Sequence, residues 1–167
     1  MSHSHHPVPE VSLVHLVDLV LDNVRRAREK NSGTLTFGGS ETVFGRPVLK
    51  IEATMPPTGK TPTLEKGQTL WDIARATGQS MYVILHANRG RLWWQADDPK
   101  KGDAVFVPDY YAHRVVLWID AELRLPLKID LYDHEGNLYE RYEHHDLKVN
   151  VGLTAADFDP KNPAYGF

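Results

Sequence analysis

The sequence predicts an α+β fold: an antiparallel sheet carrying one packed N-terminal helix, with a small strand-helix-helix-strand unit between its strand runs. Three observations carry that prediction. The chain opens on an amphipathic segment, period-two segments lie on both sides of its middle, and the middle itself switches to a helical period.

The first helix reads from Ser12 to Arg28. Leu13, Leu16, Val17, Val20, Val24 and Ala27 recur at three- and four-residue spacing. Ser12 is its N-cap. Arg25, Arg26 and Arg28 suit the negative end of the helix dipole, and Asn31-Ser32-Gly33 ends it. Val14, Leu19 and Leu21 widen the apolar stripe, which favours packing on a sheet over lying on a membrane surface or a partner.

Strands follow. Thr34 to Phe37 is a short one, ending at Gly38-Gly39. Val48 to Met55 is a second, with Leu49, Ile51, Ala53 and Met55 on one face, entered through a turn at Gly45-Arg46-Pro47. Pro56-Pro57-Thr58-Gly59 breaks the pattern. After Asp109 the strands resume. His113 to Ile119 is rich in β-branched and aromatic residues. Leu127, Ile129 and Leu131 alternate with Lys128, Asp130 and Tyr132. Asp133-His134-Glu135-Gly136-Asn137 is a hairpin turn, and Leu138 to Val151 returns, bent at His144-His145. Residues 157 to 167 form a turn-rich tail. Hairpin-linked strands imply an antiparallel sheet with the helix on one face.

Between the strand runs, Thr69-Leu70-Trp71-Asp72 has the spacing of a capping box, with Thr69 as N-cap. Leu70, Ile73, Ala74 and Thr77 continue one helical face and Gly78 stops it. Ser80 caps a second short helix with Met81, Ile84 and Leu85 inward, ending at Asn88-Arg89-Gly90. Lys100-Lys101-Gly102-Asp103 turns into a strand, Ala104 to Val107, closed by Pro108.

Composition narrows the chemistry. The chain has 167 residues, a formal net charge of -3 and no cysteine. There is no basic patch for nucleic acid, no apolar run of the roughly 18 to 20 residues that span a bilayer, and no thiol for catalysis or metal. The first residues, with His3, His5 and His6, lack the pattern of a signal peptide, so an export signal is expected upstream. Their histidines read as a tail rather than a metal site. His144 and His145 point to opposite sheet faces and should not converge on a metal or a substrate. Asp97-Asp98 and Asp157-Phe158-Asp159 read as turn caps. No catalytic constellation, metal site or cofactor motif stands out.

Leu64-Glu65-Lys66-Gly67-Gln68-Thr69-Leu70-Trp71-Asp72-Ile73-Ala74, then Ile84-Leu85-His86-Ala87-Asn88, then Lys101 to Pro108, together resemble a lysin-motif (LysM) domain. Gln68 stands where that family usually has aspartate, and Arg89 where it often has proline. The resemblance implies binding of a glycan containing N-acetylglucosamine, peptidoglycan or a chitin-like chain, in a shallow groove. Its first wall is Gly67, Gln68, Thr69 and Leu70; its second is Asn88, Arg89, Gly90 and Leu92. Trp93, with Trp94 beside it, either stacks on a sugar ring or packs on the host sheet. Trp71 is expected to be packed. Because the ends of such a module lie together, it fits the tip of a hairpin. Residues 60 to 108 are therefore expected as an insert in a host of residues 8 to 57 and 109 to 167, with Val48–Met55 pairing with His113–Ile119.

The host segments Val43 to Pro47, Arg114 to Asp120, Leu123 to Pro126, Leu147 to Leu153 and Asp157 to Tyr165 resemble the C-terminal half of a bacterial envelope family. That family is similar to periplasmic lipoprotein carriers of the LolA type, which fold as a curved antiparallel sheet around helices. The combined expectation is a non-enzymatic protein of the periplasm or cell envelope that holds glycan through the insert. The rival is a lipid- or lipoprotein-handling domain whose insert contacts protein.

Overall fold

The computed structural model describes residues 12–90 and 100–165. Helix α1 spans Leu13–Glu29, followed by strands β1 (Thr34–Val43), β2 (Arg46–Thr54) and β3 (Gly59–Lys60). Helices α2 (Leu70–Thr77) and α3 (Met81–Ala87) come next, then β4 (Val107–Pro108), β5 (Arg114–Asp120), β6 (Pro126–Tyr132) and β7 (Leu138–Glu143). Five strands form one antiparallel sheet in the order β1-β2-β5-β6-β7, and β3 pairs with β4 in a second. The mixed α+β class and the antiparallel sheet are as the periodicities predict. Among the described residues no helix is long and apolar enough to cross a membrane.

The α1 boundaries follow from its caps. Ser12 Oγ accepts from His15 N–H at 3.1 Å, satisfying an N-terminal donor that the helix itself leaves free. Asn31 then adopts φ 48, reversing the chain. Leu16, Val20 and Ala27 face the sheet, where Ala53, Met55, Val115, Ile129 and Leu131 meet them in the main core. The opposite sheet face has a smaller apolar cluster of Val48, Val116, Trp118 and Leu127.

β2 and β5 are direct neighbours, Ala53 opposite Val115 and Ile51 opposite Leu117, although β3, α2, α3 and β4 lie between them in the chain. Their ladder runs on into the neck of the intervening unit. Met55 N–H donates to His113 O at 2.7 Å, Asp109 N–H donates to Thr58 O at 2.9 Å, and Gly59 then sits opposite Pro108. A side chain at Gly59 would put its Cβ 2.5 Å from Val107 O, so only glycine lets the two strands close. Beyond the neck, Leu64, Leu70, Ile73, Ala74, Ile84, Val105 and Val107 form a separate small core.

The unit is also packed sideways on the sheet domain. Val83 of α3 belongs to the main core with Tyr110 and Tyr111, and Gln79 Nε2 donates to Pro108 O at 2.9 Å. Nothing in the local sequence announced this docking, since it depends on how α3 meets a distant sheet.

Four local expectations are corrected. The first strand does not end at Gly38-Gly39: the ladder shifts between Phe37 and Gly39, a β-bulge, and continues to Val43. The turn into β2 is Phe44-Gly45, both at positive φ, while Arg46 and Pro47 already belong to the strand. The return strand stops at Glu143, well before Val151, after which His144 N–H donates to Leu127 O at 2.8 Å. Leu127 does not share a cluster with Ile129 and Leu131, because the β5–β6 ladder slips between Trp118 and Ile119.

Candidate functional site

The first expected groove wall, Gly67 to Leu70, is built by short-range bonds. Gly67 takes φ 81, open to the left-handed region that glycine occupies without strain. Gln68 folds back, its Oε1 accepting from Glu65 N–H at 3.1 Å. Thr69 and Asp72 form the capping box that their spacing announces. Asp72 N–H donates to Thr69 Oγ1 at 3.3 Å, while Asp72 Oδ2 accepts from Thr69 N–H at 2.8 Å and from Thr69 O–H at 2.7 Å. Those bonds, the hydroxyl first, hold the Asp72 carboxyl below its ordinary range, helped by Arg75. Gly67 is exposed, Gln68 and Thr69 half-buried, and Leu70 is buried in the unit's core. The surface of this wall is therefore the backbone of residues 66 to 69, with Leu70 as its anchor beneath.

The second expected wall is different. Asn88 is 0% exposed. Its Nδ2 donates to Ile84 O and Phe106 O, both at 2.7 Å, and its Oδ1 accepts from Phe106 N–H at 2.9 Å. The side chain thus replaces a missing strand partner for residue 106 and ties the end of α3 to the approach to β4. Arg89 reaches out to the β6–β7 hairpin, donating to Asp133 Oδ2 at 3.3 Å and Glu135 Oε2 at 2.9 Å. His86 Nε2 lies 3.0 Å from the same Asp133 oxygen. Burial works to raise the Asp133 pKa, but hydrogen bonds from His86, Asn137 and Glu135 outweigh it and the carboxyl stays below its ordinary range. Gly90, at φ 84, is exposed. Leu92, Trp93 and Trp94 lie outside the described residues, as do Asp97 and Asp98 and the N-terminal histidines. Of the second wall, then, Gly90 and part of Arg89 face solvent, and Asn88 is a strut.

A third surface comes from tertiary packing. A cleft of about 820 Å³ separates α1 from α2 and α3. Trp71 stands in it 53% exposed, against the expectation of a packed ring. Tyr82 meets it edge-on, with ring centroids 6.3 Å apart and planes at 81°. Sequence reasoning passed over this cleft. The available signal was the helical period itself, which leaves Trp71 and Arg75 off the Leu70-Ile73-Ala74 stripe.

The remaining candidates have local roles. His145 stacks on Phe44 at 3.9 Å, and His144 does not join it. Asp157 caps the turn at Thr154, accepting from its N–H at 2.6 Å, and Asp159 Oδ1 accepts from Lys161 N–H at 2.9 Å. Among the described residues no group of three histidine, aspartate or glutamate side chains is placed to hold a metal ion.

A family model described as a protein of unknown function (DUF1571) matches residues 103–167. The matched stretch holds β4 to β7 and the C-terminal tail; α1, β1, β2, β3, α2 and α3 precede it. No curated protein and no solved structure matches the chain.

Proposed function

We propose that this protein is a non-catalytic component of the bacterial cell envelope. In this reading it holds peptidoglycan, or another N-acetylglucosamine glycan, through the β3-α2-α3-β4 unit, which we read as a LysM module inserted in the sheet domain. The observation that supports the reading is the first wall. A glycine at positive φ and a capping box fix an exposed backbone loop beside the start of α2. Backbone amides and carbonyls of such a loop pair the acetamido group of the sugar, each bond adding on the order of 1 kcal/mol net. Gly90 faces solvent on the second loop and completes the groove with the outward part of Arg89.

The test is an NMR titration of the whole chain with chito-oligosaccharides and soluble peptidoglycan fragments. Saturable shifts at Gly67 to Leu70 and at Gly90 are expected. Absence of shifts there at millimolar ligand would overturn the reading.

One observation favours the rival, a lipid- or lipoprotein-handling domain. Leu35 and Phe37 are 61% and 64% exposed, and with Leu49 they lie on the same sheet face as α1. Leu35 is the cross-strand partner of Ala53, which α1 covers, so the apolar face runs out past the helix to the edge strand. Partition of a fluorescent acyl chain onto this protein, lost in Phe37→Asp, is the outcome that would favour it.

A further inference from the structure

We propose a second saccharide site, in the cleft between α1 and the α2–α3 pair, with Trp71 as its stacking platform. It rests on the glycan reading above for the choice of sugar. It uses a different surface, so the two succeed or fail separately.

The cleft has the size of a small-ligand site: about 820 Å³, within the range of roughly 300 to 1,000 Å³ in which such sites fall. Its chemistry is that of a sugar rather than of an ion. A pyranose presents one apolar face and a rim of hydroxyls that both donate and accept. Trp71 offers an exposed ring for the face, and Tyr82, edge-on to it, holds that ring in orientation. Around them stand planar polar groups of both kinds. Asp22 accepts, Arg25 and Arg75 donate, and the amide of Gln79 has its Nε2 committed to Pro108 O and its Oε1 accepting from Ser80 N–H, with one acceptor lone pair to spare.

Three of these groups, Asp22, Arg25 and Arg75, are already paired. Arg25 donates to Asp22 at 3.2 Å across one turn of α1, and Arg75 to Asp72 across one turn of α2. Each pair neutralises its own charge while leaving further donors and acceptors at its rim, which suits hydroxyls and gives a bare anion or cation little net field. Trp71 and Arg75 are four residues apart, hence on one face of α2. The two sides of the cleft come from segments on either side of β1 and β2, so it exists only while the inserted unit is docked through Val83.

The test is a titration of the full chain with N-acetylglucosamine tetramer, followed by NMR at the backbone amides and the Trp71 indole. The proposal expects saturable shifts at the Trp71 indole, Gln79 and Tyr82. Trp71→Ala should weaken that binding about tenfold, the factor that corresponds to 1.4 kcal/mol of lost stacking. Arg75→Ala should weaken it less. Trp71 is half-exposed, and unchanged amide shifts in β5 and β6 would show that the variant folds. Shifts confined to Gly67–Leu70 and Gly90, with Trp71→Ala binding as the parent does, would overturn this site and leave the loop groove standing. Shifts in the cleft alone would overturn the loop groove and leave this site. No shift at either surface would overturn both.

Discussion

Two loops of the unit between β2 and β5, Gly67–Leu70 and Asn88–Gly90, have the same expected task and opposite structural circumstances. The first is held by bonds among near neighbours: Gln68 to Glu65, and Thr69 to Asp72. Its backbone is left facing outward. The second is held by bonds to distant chain, Asn88 to Phe106 and Arg89 to Asp133 and Glu135. Its side chains are spent inward and sideways. A loop that closes on itself can present its surface to a ligand, whereas a loop that serves as a joint has its polar groups occupied.

The sharpest way to break this contrast is at Asn88. Asn88→Ala removes one buried and two part-buried hydrogen bonds and leaves Phe106 N–H and two carbonyls without their partner. A loss of roughly 3 kcal/mol is expected from such unmet buried groups. Chemical denaturation would measure it; a cost under about 0.5 kcal/mol would mean that Asn88 is no strut. Acidification comes next, because it acts on both loops. Asp72 and Asp133 each have a folded-state pKa below the ordinary value. The stability they contribute is therefore present above about pH 4, the unfolded carboxylate range, and is lost as pH falls through their lowered values. Denaturation midpoints across pH 2 to 6 should decline toward the acid end, less steeply in Asp72→Asn, where one of the two groups no longer titrates.

Thr69→Ala removes the cap alone and should cost about 1 kcal/mol. Its imprint is local: amide exchange should quicken through α2 and leave β5 and β6 unchanged. Arg89→Ala should have the smallest effect, within about 1 kcal/mol, since the arginine is half-exposed and its ion pairs are screened. Its use lies elsewhere. If Arg89 joins the unit to the hairpin, the variant should shift the amides of residues 133 to 137 together with those of α3, and barely move those of α2.

Where contacts are short in sequence, the chain announces its structure. The α1 stripe and its Ser12 cap, the Thr69–Asp72 box, the Asp133–Asn137 turn and the pairing of β2 with β5 are all readable in advance. The first three rest on local spacing and turn chemistry, and the pairing of β2 with β5 on what the resemblance to a LysM module implies about its ends. Gly38-Gly39 misleads for a definite reason. Glycine marks both a strand end and a bulge, and only the partner strand decides which. At Asn88 the same residue type that tolerates a helix end also bonds three ways into a buried backbone, and the identity of its partners depends on where β4 returns.

Sequence by itself thus determined the α+β class, the antiparallel pairing, the Ser12 and Thr69 caps and the apolar stripes, because those depend on local spacing and on burial that periodicity encodes. Tertiary structure alone decided that the unit between β2 and β5 docks sideways through Val83, that Asn88 and Arg89 serve as joints, and that a cleft opens between α1 and the α2–α3 pair beside Trp71. Each of these is set by the angle at which one rigid element meets another. That angle follows from the summed packing of distant residues and leaves no period in the chain.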